Sequence, residues 1–347
     1  MPDDAARPAV EAAGDVPVAS GGGRLLWETC RSRCATSSRP SPAGGSCRSA
    51  RSRPGSAPDS PPSSRSTTVP ASSSRRRGPR TSPWRPTSTA PRRRSRPGCP
   101  RRPGPALRVG HGDGDWIALA FEVVDGHVPA TPWDPDELDR VLTTLVRVAS
   151  VPGARAMRLP PTGPDFADMA TGWRALREDP DPRLAAVSPW AAAHLDALAE
   201  AERGALVACE GESFVHGDLR ADNVLLTPEK VYLVDWPHAS RGAAWLDLAM
   251  FLPSVVMQGV VDVCEPVTVS ADTTRRARGG AWAASTFAAH PLGSDVHPAD
   301  LRSVVAGIAG YFLHSARKPA VPTIPRLRAF QRAQGVAAVA WLEHLGL

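Results

Sequence analysis

The sequence predicts an α+β fold that is mainly helical and contains one small β-hairpin. Three observations support this prediction. Apolar residues recur at helical spacing along most of the chain from Asp134 onward. Two short apolar runs, Val224–Leu226 and 231–234, are separated by a segment of hairpin length that contains Pro228. The composition also changes abruptly at about Asp113, so we expect the folded part to extend from there to the C-terminus.

Residues 29–105 cannot form a core of their own. These 77 residues include 18 Arg, 18 Ser and 15 Pro, but one acidic residue (Asp59), one aliphatic residue larger than Ala (Val69) and one aromatic residue (Trp84). Such a composition buries too little apolar surface to offset the entropy that is lost on folding. We therefore predict that this segment is disordered.

The chain divides into three predicted segments: an N-terminal remnant at 1–28, a disordered Arg/Ser/Pro-rich segment at 29–112, and a folded part at 113–347. Codons of a GC-rich gene that are read out of register encode mainly Arg, Ser, Pro, Ala and Gly, so a frameshift is one explanation of the middle segment. The other explanation is a natural disordered basic arm. Such arms usually mix Lys with Arg and carry aromatic residues for base stacking, which this segment nearly lacks, so nucleic acid is disfavoured as a partner.

The charge of the chain follows the same division. Residues 29–105 carry a net charge of +17 and all other residues together carry −11, although the whole chain has +6 and a pI of about 9.4. The basic pI therefore describes the segment that is predicted to be disordered. The acidic folded part would attract small cationic molecules.

Cysteine usage and hydropathy give two further expectations. Cys209 and Cys264 are the only cysteines in the predicted folded part, and we expect both to be buried free thiols. The sequence has no signal-peptide pattern and no apolar stretch of 18 residues, so we expect a cytoplasmic protein without a membrane partner.

Apolar spacing and cap residues predict the elements of the folded part. A buried strand is expected over 116–121, running into a turn at Asp125-Gly126. Asp134 is the predicted N-cap of a first helix that ends near Ser150. Further helices are predicted over 173–177, 189–203, 243–257, Thr273–Ala289, 298–315 and 326–345.

The stretch 213–247 contains residues of a kind that phosphoryl transfer needs. The spacing His-x-Asp-x-x-x-x-Asn places Asp218 and Asn223 in a loop just before the predicted hairpin, whose second strand ends at Asp235. Each residue alone is typical of a turn or a strand end, but the joint spacing favours a site. One carboxylate would take the proton of an acceptor hydroxyl, while a second carboxylate and an amide oxygen would hold Mg²⁺. We expect His216 to support this loop through hydrogen bonds.

The motifs VHGDLRADNVLL and VYLVDW resemble the catalytic and metal-binding motifs of the aminoglycoside phosphotransferase family, relatives of the protein kinases. The resemblance extends over about 113–347 and implies a protein-kinase-like fold with a mainly helical C-lobe. It implies that Asp218 is the catalytic base and that Asn223 and Asp235 bind Mg²⁺. The implied reaction moves the γ-phosphoryl group of ATP or GTP to a hydroxyl of a small molecule, an aminoglycoside or another cationic metabolite.

The same resemblance implies two further roles. The sequence WLDLA is similar to a family helix with a buried carboxylate, which implies that Asp247 braces the catalytic loop. The segment formed by Phe121, Glu122, Val123 and Val124 resembles the hinge between two lobes, where backbone groups bind the adenine edge of the nucleotide.

The N-lobe that this family uses to hold the nucleotide is not recognisable. It supplies a Lys that contacts the phosphates, but both lysines of this chain, Lys230 and Lys318, follow the catalytic loop. We therefore expect the N-lobe sheet to be largely missing or disordered. The alternative to an active enzyme is a catalytically impaired pseudokinase or remnant that folds but cannot hold nucleotide, and binding of Mg·ATP distinguishes the two.

Overall fold

The computed structural model describes residues 104–112 and 117–347, which form two compact units. The larger unit contains residues 104–105 and 126–347, and the smaller one contains 106–112 and 117–125. The expectations for the N-terminal remnant, for most of the Arg/Ser/Pro-rich segment and for the frameshift concern residues outside this described part.

The smaller unit is an antiparallel hairpin of β1 (Leu107–Gly112) and β2 (Ile117–Phe121). Leu107 pairs with Phe121, and the register shifts between Leu107 and Val109. The predicted strand over 116–121 therefore corresponds to β2.

The beginning of the ordered part differs from the prediction. Residues 107–112 were expected to end the Arg/Ser/Pro-rich segment, but they form β1. Backbone pairing with the apolar strand β2 stabilises this segment, and the Glu122 amide extends the pairing by donating to the Ala106 carbonyl at 2.9 Å. The side chains of LRVGHG do not alternate clearly between polar and apolar residues, so the pattern alone did not predict a strand.

The larger unit is mainly helical. Its helices are α1 (Pro135–Ala149), α2 (Thr162–Asp165), α3 (Gly172–Glu178), α4 (Leu184–Val187), α5 (Pro189–Ala193), α6 (Leu195–Ala201), α7 (Ala205–Ala208), α8 (Leu246–Gln258), α9 (Thr273–Ala289), α10 (Pro298–Ala316) and α11 (Leu327–Leu345). Short 3₁₀ turns occur at Ala167–Ala170, Glu202–Gly204 and Ala221–Asn223. None of the helices in the described residues is both long and apolar enough to cross a membrane.

Two small strand pairs complete this unit. Strands β4 (Val224–Leu226) and β5 (Val231–Leu233) form the predicted antiparallel hairpin, with Val224 opposite Leu233. Strands β3 (Ser213–Val215) and β6 (Ser240–Gly242) pair across a longer sequence separation and were not predicted. Strands β3 and β6 have only three residues each, which is too short to show an alternation of polar and apolar side chains.

Helix α8 forms the centre of the larger unit. Every residue of α8 except Met250 is buried, as expected for a helix that is apolar all round. It packs against α1, α9, α10 and α11. Because α8 begins with Leu246 and Asp247, its N-terminus brings a carboxylate into the interior beside the loop that follows β3.

Helices α1 and α9 agree closely with their predicted positions, because the sequence supplies an aspartate as the N-cap of each. The Asp134 side chain accepts from the amides of Asp136 and Glu137 at the start of α1. The Asp272 side chain accepts from the Arg275 amide at 2.8 Å, and α9 then has the predicted bounds. Both predicted free thiols, Cys209 and Cys264, are buried and unpaired.

The predicted helix over 189–203 is interrupted at His194. The His194 Nδ1 donates to the Trp190 carbonyl at 2.8 Å, the oxygen that the backbone amide of His194 would use in a continuous helix. That amide instead donates to the Ala191 carbonyl at 3.2 Å, and α5 ends there. A side chain therefore competes with the backbone for one carbonyl, which periodicity does not reveal.

Candidate active site

The loop that follows β3 turns sharply at Gly217. Its φ of +78° lies in the left-handed region, and a Cβ at this position would lie 2.9 Å from the His238 carbonyl oxygen. Only glycine satisfies both conditions without strain. The turn places the Asp218 side chain beside the residues that precede the β4–β5 hairpin.

The buried Asp247 carboxylate supports this loop from α8. Its Oδ2 accepts from the His216 amide at 2.7 Å, and its Oδ1 accepts from the Gly217 amide at 2.9 Å. Burial raises the pKa of Asp247, and the hydrogen bonds from the amides of Gly217 and His216 partly offset this rise. The loop backbone is thus fixed by two hydrogen bonds to one carboxylate.

The His216 side chain also fixes this loop, through hydrogen bonds of both ring nitrogens. Its Nε2 donates to the Val234 carbonyl at 3.0 Å, and its Nδ1 accepts from the Asp218 amide at 3.3 Å. The imidazole ring also lies 4.4 Å from the Trp236 ring. Burial lowers the pKa of His216, which favours the neutral ring with its proton on Nε2.

The Asp218 carboxylate lies beside Asn223. The Asn223 Nδ2 donates to the Asp218 carbonyl at 2.7 Å and lies 3.5 Å from Asp218 Oδ2. The other carboxylate oxygen, Oδ1, accepts from Arg220 at 2.7 Å. Burial raises the pKa of Asp218, and Arg220 lowers it. The Asp218 side chain is 30% exposed, and its Oδ2 has no short hydrogen bond comparable to that of Oδ1.

The hairpin connects Asn223 with Asp235. The Val234 amide donates to the Asn223 carbonyl at 2.9 Å, immediately before Asp235. The backbone of Asp235 has a φ of +62°, which is uncommon for a residue other than glycine and occurs often at functional sites. Asp235 is exposed, so its carboxylate is accessible to an ion from solvent.

These residues fit a magnesium ion. Because Asn223 Nδ2 is committed to the Asp218 carbonyl, its Oδ1 is the amide atom that can meet a cation, and Asp235 adds a carboxylate. Mg²⁺ prefers such oxygen ligands and usually keeps several waters or phosphate oxygens. No group of three or more His, Cys, Asp or Glu side chains among residues 104–112 and 117–347 is arranged for a metal, so a site here would rely on the nucleotide for further ligands.

Comparison with known proteins identifies the family. Residues 100–289, more than half of the chain, match the profile of the Phosphotransferase enzyme family. The chain belongs to this family. Its predicted fold class, protein-kinase-like and mainly helical with a small catalytic hairpin, is confirmed. A search of curated proteins gave no match.

Several solved structures are similar to this family member. A provisionally assigned aminoglycoside phosphotransferase from Ralstonia eutropha is 16% identical with a TM-score of 0.43, covering 70% of this chain and 78% of that one. A choline/ethanolamine kinase family protein from Mesorhizobium loti is 14% identical with a TM-score of 0.38, covering 68% and 79%. A spectinomycin phosphotransferase in complex with ADP and spectinomycin is 13% identical with a TM-score of 0.43, covering 72% and 79%. The assignment rests on the family profile.

The residues predicted to contact adenine lie in the smaller unit of this family member. Phe121 and Val123 are exposed, the latter by 81%, whereas Val124 is buried. The Glu122 side chain pairs with Arg108 at 3.2 Å. The predicted contact between these four residues and a nucleotide stays a prediction.

Three residues connected to Asp218, directly or through Arg220, were not predicted from the sequence. Arg220 and Asp222 follow Asp218 at intervals of two residues, and this alternation of charge was a signal available in the sequence. Phe330 of α11 lies under Arg220, with 5.5 Å between the guanidinium carbon and the ring centre. No local pattern could have connected positions more than a hundred residues apart.

Proposed function

We propose that this chain transfers the γ-phosphoryl group of ATP or GTP to a hydroxyl of a small cationic molecule, an aminoglycoside or another cationic metabolite. The observation that carries the proposal is the juxtaposition of Asp218 with Asn223, and of Asn223 with the strand end at Asp235. A proton acceptor and two metal-type oxygen ligands thus converge on one loop and one hairpin. Family membership supports the reaction class.

Asp218 acts as the base in this proposal. Its Oδ2 accepts the proton of the acceptor hydroxyl, because Oδ1 is already held by Arg220. The electron pair of the broken O–H bond stays on the acceptor oxygen, which bonds to the γ-phosphorus as the bond to the leaving nucleoside diphosphate breaks. A buried loop that is fixed by His216 and Asp247 holds Asp218 in place during this step.

Asn223 Oδ1 and the Asp235 carboxylate would hold Mg²⁺. The ion, when bound, neutralises charge on the transferred and leaving phosphate groups. The two protein ligands flank the open end of the short hairpin, Asn223 before β4 and Asp235 after β5, and the Val234–Asn223 hydrogen bond fixes the spacing of the two strands there.

The net charge of the chain outside the Arg/Ser/Pro-rich segment supports a cationic acceptor. All residues other than 29–105 together carry −11. An amine-bearing acceptor would be attracted to a protein with such an excess of carboxylates.

The first experiment measures binding of Mg·ATP and Mg·GTP to the full chain by calorimetry. It then measures release of the nucleoside diphosphate with a panel of hydroxyl compounds that do or do not carry amines. The proposal expects micromolar nucleotide affinity, Mg²⁺-dependent turnover and a preference for amine-bearing acceptors. Absence of nucleotide binding would contradict it and would favour the impaired remnant.

A further inference from the structure

We propose that Arg220 is a positioning residue that sets the orientation of the Asp218 carboxylate, and that Asp222 and Phe330 hold Arg220 in place for this task. The proposal rests on the phosphotransferase function proposed above and adds three residues to its machinery. Arg220 and Asp222 occupy variable positions of the His-x-Asp-x-x-x-x-Asn pattern from which the site was predicted, and Phe330 lies outside it.

Arg220 bridges two carboxylates with different atoms. Its Nη1 donates to Asp218 Oδ1 at 2.7 Å. Its Nε and Nη2 donate to Asp222 Oδ1 and Oδ2, each at 3.0 Å. The pair with Asp222 is bidentate, which fixes the plane of the guanidinium group, and Nη1 then meets Asp218 from a defined direction.

Phe330 restricts the guanidinium group from another side. The guanidinium carbon lies 5.5 Å from the centre of the Phe330 ring, within the range of a cation–π contact. Phe330 is buried near the start of α11, which packs against α8, α9 and α10. The last helix of the chain therefore reaches the catalytic loop through one aromatic ring.

The arrangement makes the two oxygens of Asp218 unequal. Oδ1 has a short hydrogen bond to Arg220, whereas Oδ2 has only the 3.5 Å contact with Asn223 Nδ2. A carboxylate that is held by one oxygen cannot rotate freely, so Oδ2 keeps a constant direction toward the acceptor hydroxyl. Phosphoryl transfer depends strongly on such orientation.

A lysine could not replace this arginine fully. The ammonium group is a single point charge, so it could pair with Asp218 or Asp222, but it could not form the fork to Asp222 while contacting Asp218. The side chains of Arg220, Asp218 and Asp222 are 20%, 30% and 27% exposed, so water screens these contacts only in part.

The test compares steady-state kinetics of wild type, Arg220→Gln, Arg220→Lys, Asp222→Asn and Phe330→Leu. Loss of orientation should lower kcat by about 100-fold in R220Q and about 10-fold in R220K and D222N, with KM for Mg·ATP changed by less than about threefold. Arg183→Gln is the matched control, because Arg183 forms the same two-atom fork with Asp181, two residues away, on an exposed surface. R183Q should keep both constants.

Several outcomes would overturn the proposal. An R220Q variant whose kcat stays within about twofold of wild type would do so, as would a loss confined to KM, which indicates a binding role. If wild type shows no turnover with any acceptor, the proposed function fails, and thermal unfolding of D218N, R220Q and D218N/R220Q still decides the Arg220 contact. Coupled groups should give melting shifts that do not add, and additive shifts would contradict the contact.

Discussion

Asp247 shows how one buried carboxylate can organise the loop that carries Asp218. Its two oxygens accept from consecutive amides, those of His216 and Gly217, so the loop backbone cannot shift without leaving a buried charge unsatisfied. The sequence indicated this role through the WLDLA resemblance. The structure identifies the two backbone amides that donate to Asp247, which no local sequence pattern predicts.

Replacing Asp247 with asparagine should destabilise the fold. One amide oxygen can accept only from one side, and the new NH₂ group would face a backbone N–H donor. We expect Asp247→Asn to lower the free energy of unfolding by about 2 kcal/mol or more, measured by chemical denaturation. Asp196→Asn, at a 91% exposed carboxylate, is the control and should behave as wild type. Equal stability of D247N and wild type would contradict the claim that Asp247 stabilises the loop.

The pH dependence of stability tests the effect of burial on the Glu202 carboxyl group. Its carboxylate is fully buried and accepts from the amides of Trp173 at 2.9 Å and Arg174 at 2.8 Å. Burial nevertheless raises the pKa of Glu202 above the ordinary value of 4.5. A carboxyl group whose pKa is raised on folding stabilises the fold while protonated, and that contribution is lost as the pH rises through the folded-state pKa.

The variant Glu202→Gln removes this titration. The melting temperature of E202Q minus that of wild type should therefore increase as the pH rises from about 4 to about 7.5. Thermal unfolding of both proteins across this range measures the difference. If this difference stays constant with pH, or changes in the opposite direction, burial does not raise the pKa of Glu202.

Among the elements, the crossing of α3 and α10 depends on two glycines. A Cβ on Gly172 would overlap the backbone of Gly310, so the two helices meet without side chains between them. The indole of Trp173 donates to the Ala306 carbonyl at 2.8 Å just beside this crossing. The close approach is a tertiary requirement, which helix propensity does not predict.

Adding a methyl group should force these helices apart. We expect Gly172→Ala to lower the free energy of unfolding by about 1–3 kcal/mol through overpacking, measured by urea denaturation. Gly163→Ala is the matched control, because a Cβ at Gly163 would meet no atom within 4 Å. A G172A variant as stable as G163A would contradict the proposed close packing.

Elements were predictable in proportion to their length and to the clarity of their caps. Helix α9 has the predicted bounds, since Asp272 caps it and its apolar residues repeat over several turns. Helix α8 begins three residues later than predicted, because Ala243 is held by a backbone hydrogen bond to the Cys209 carbonyl. Strands β3 and β6 escaped prediction because three residues each pair only through long-range contacts.

For the molecule as a whole, the loop that carries Asp218 was more predictable than its surroundings. Asp218, Asn223 and Asp235 lie within 18 consecutive residues, so local spacing predicted both the loop and the hairpin. The Arg220–Phe330 contact needs the folded C-terminal helix and could not be predicted. The expected nucleotide contacts at 121–124 lie in the smaller unit, whose partner strand β1 the composition did not reveal.

The role of Asp218 as the base is tested by transfer of the labelled γ-phosphoryl group of ATP to an acceptor, measured for wild type and for Asp218→Ala. We expect Mg²⁺-dependent transfer by wild type and a loss of at least about 100-fold in the variant, because the base is removed while the fold is kept. Circular dichroism of both proteins checks that the fold is kept. Transfer by folded D218A at the wild-type rate would contradict the claim that Asp218 is the base of a phosphotransferase.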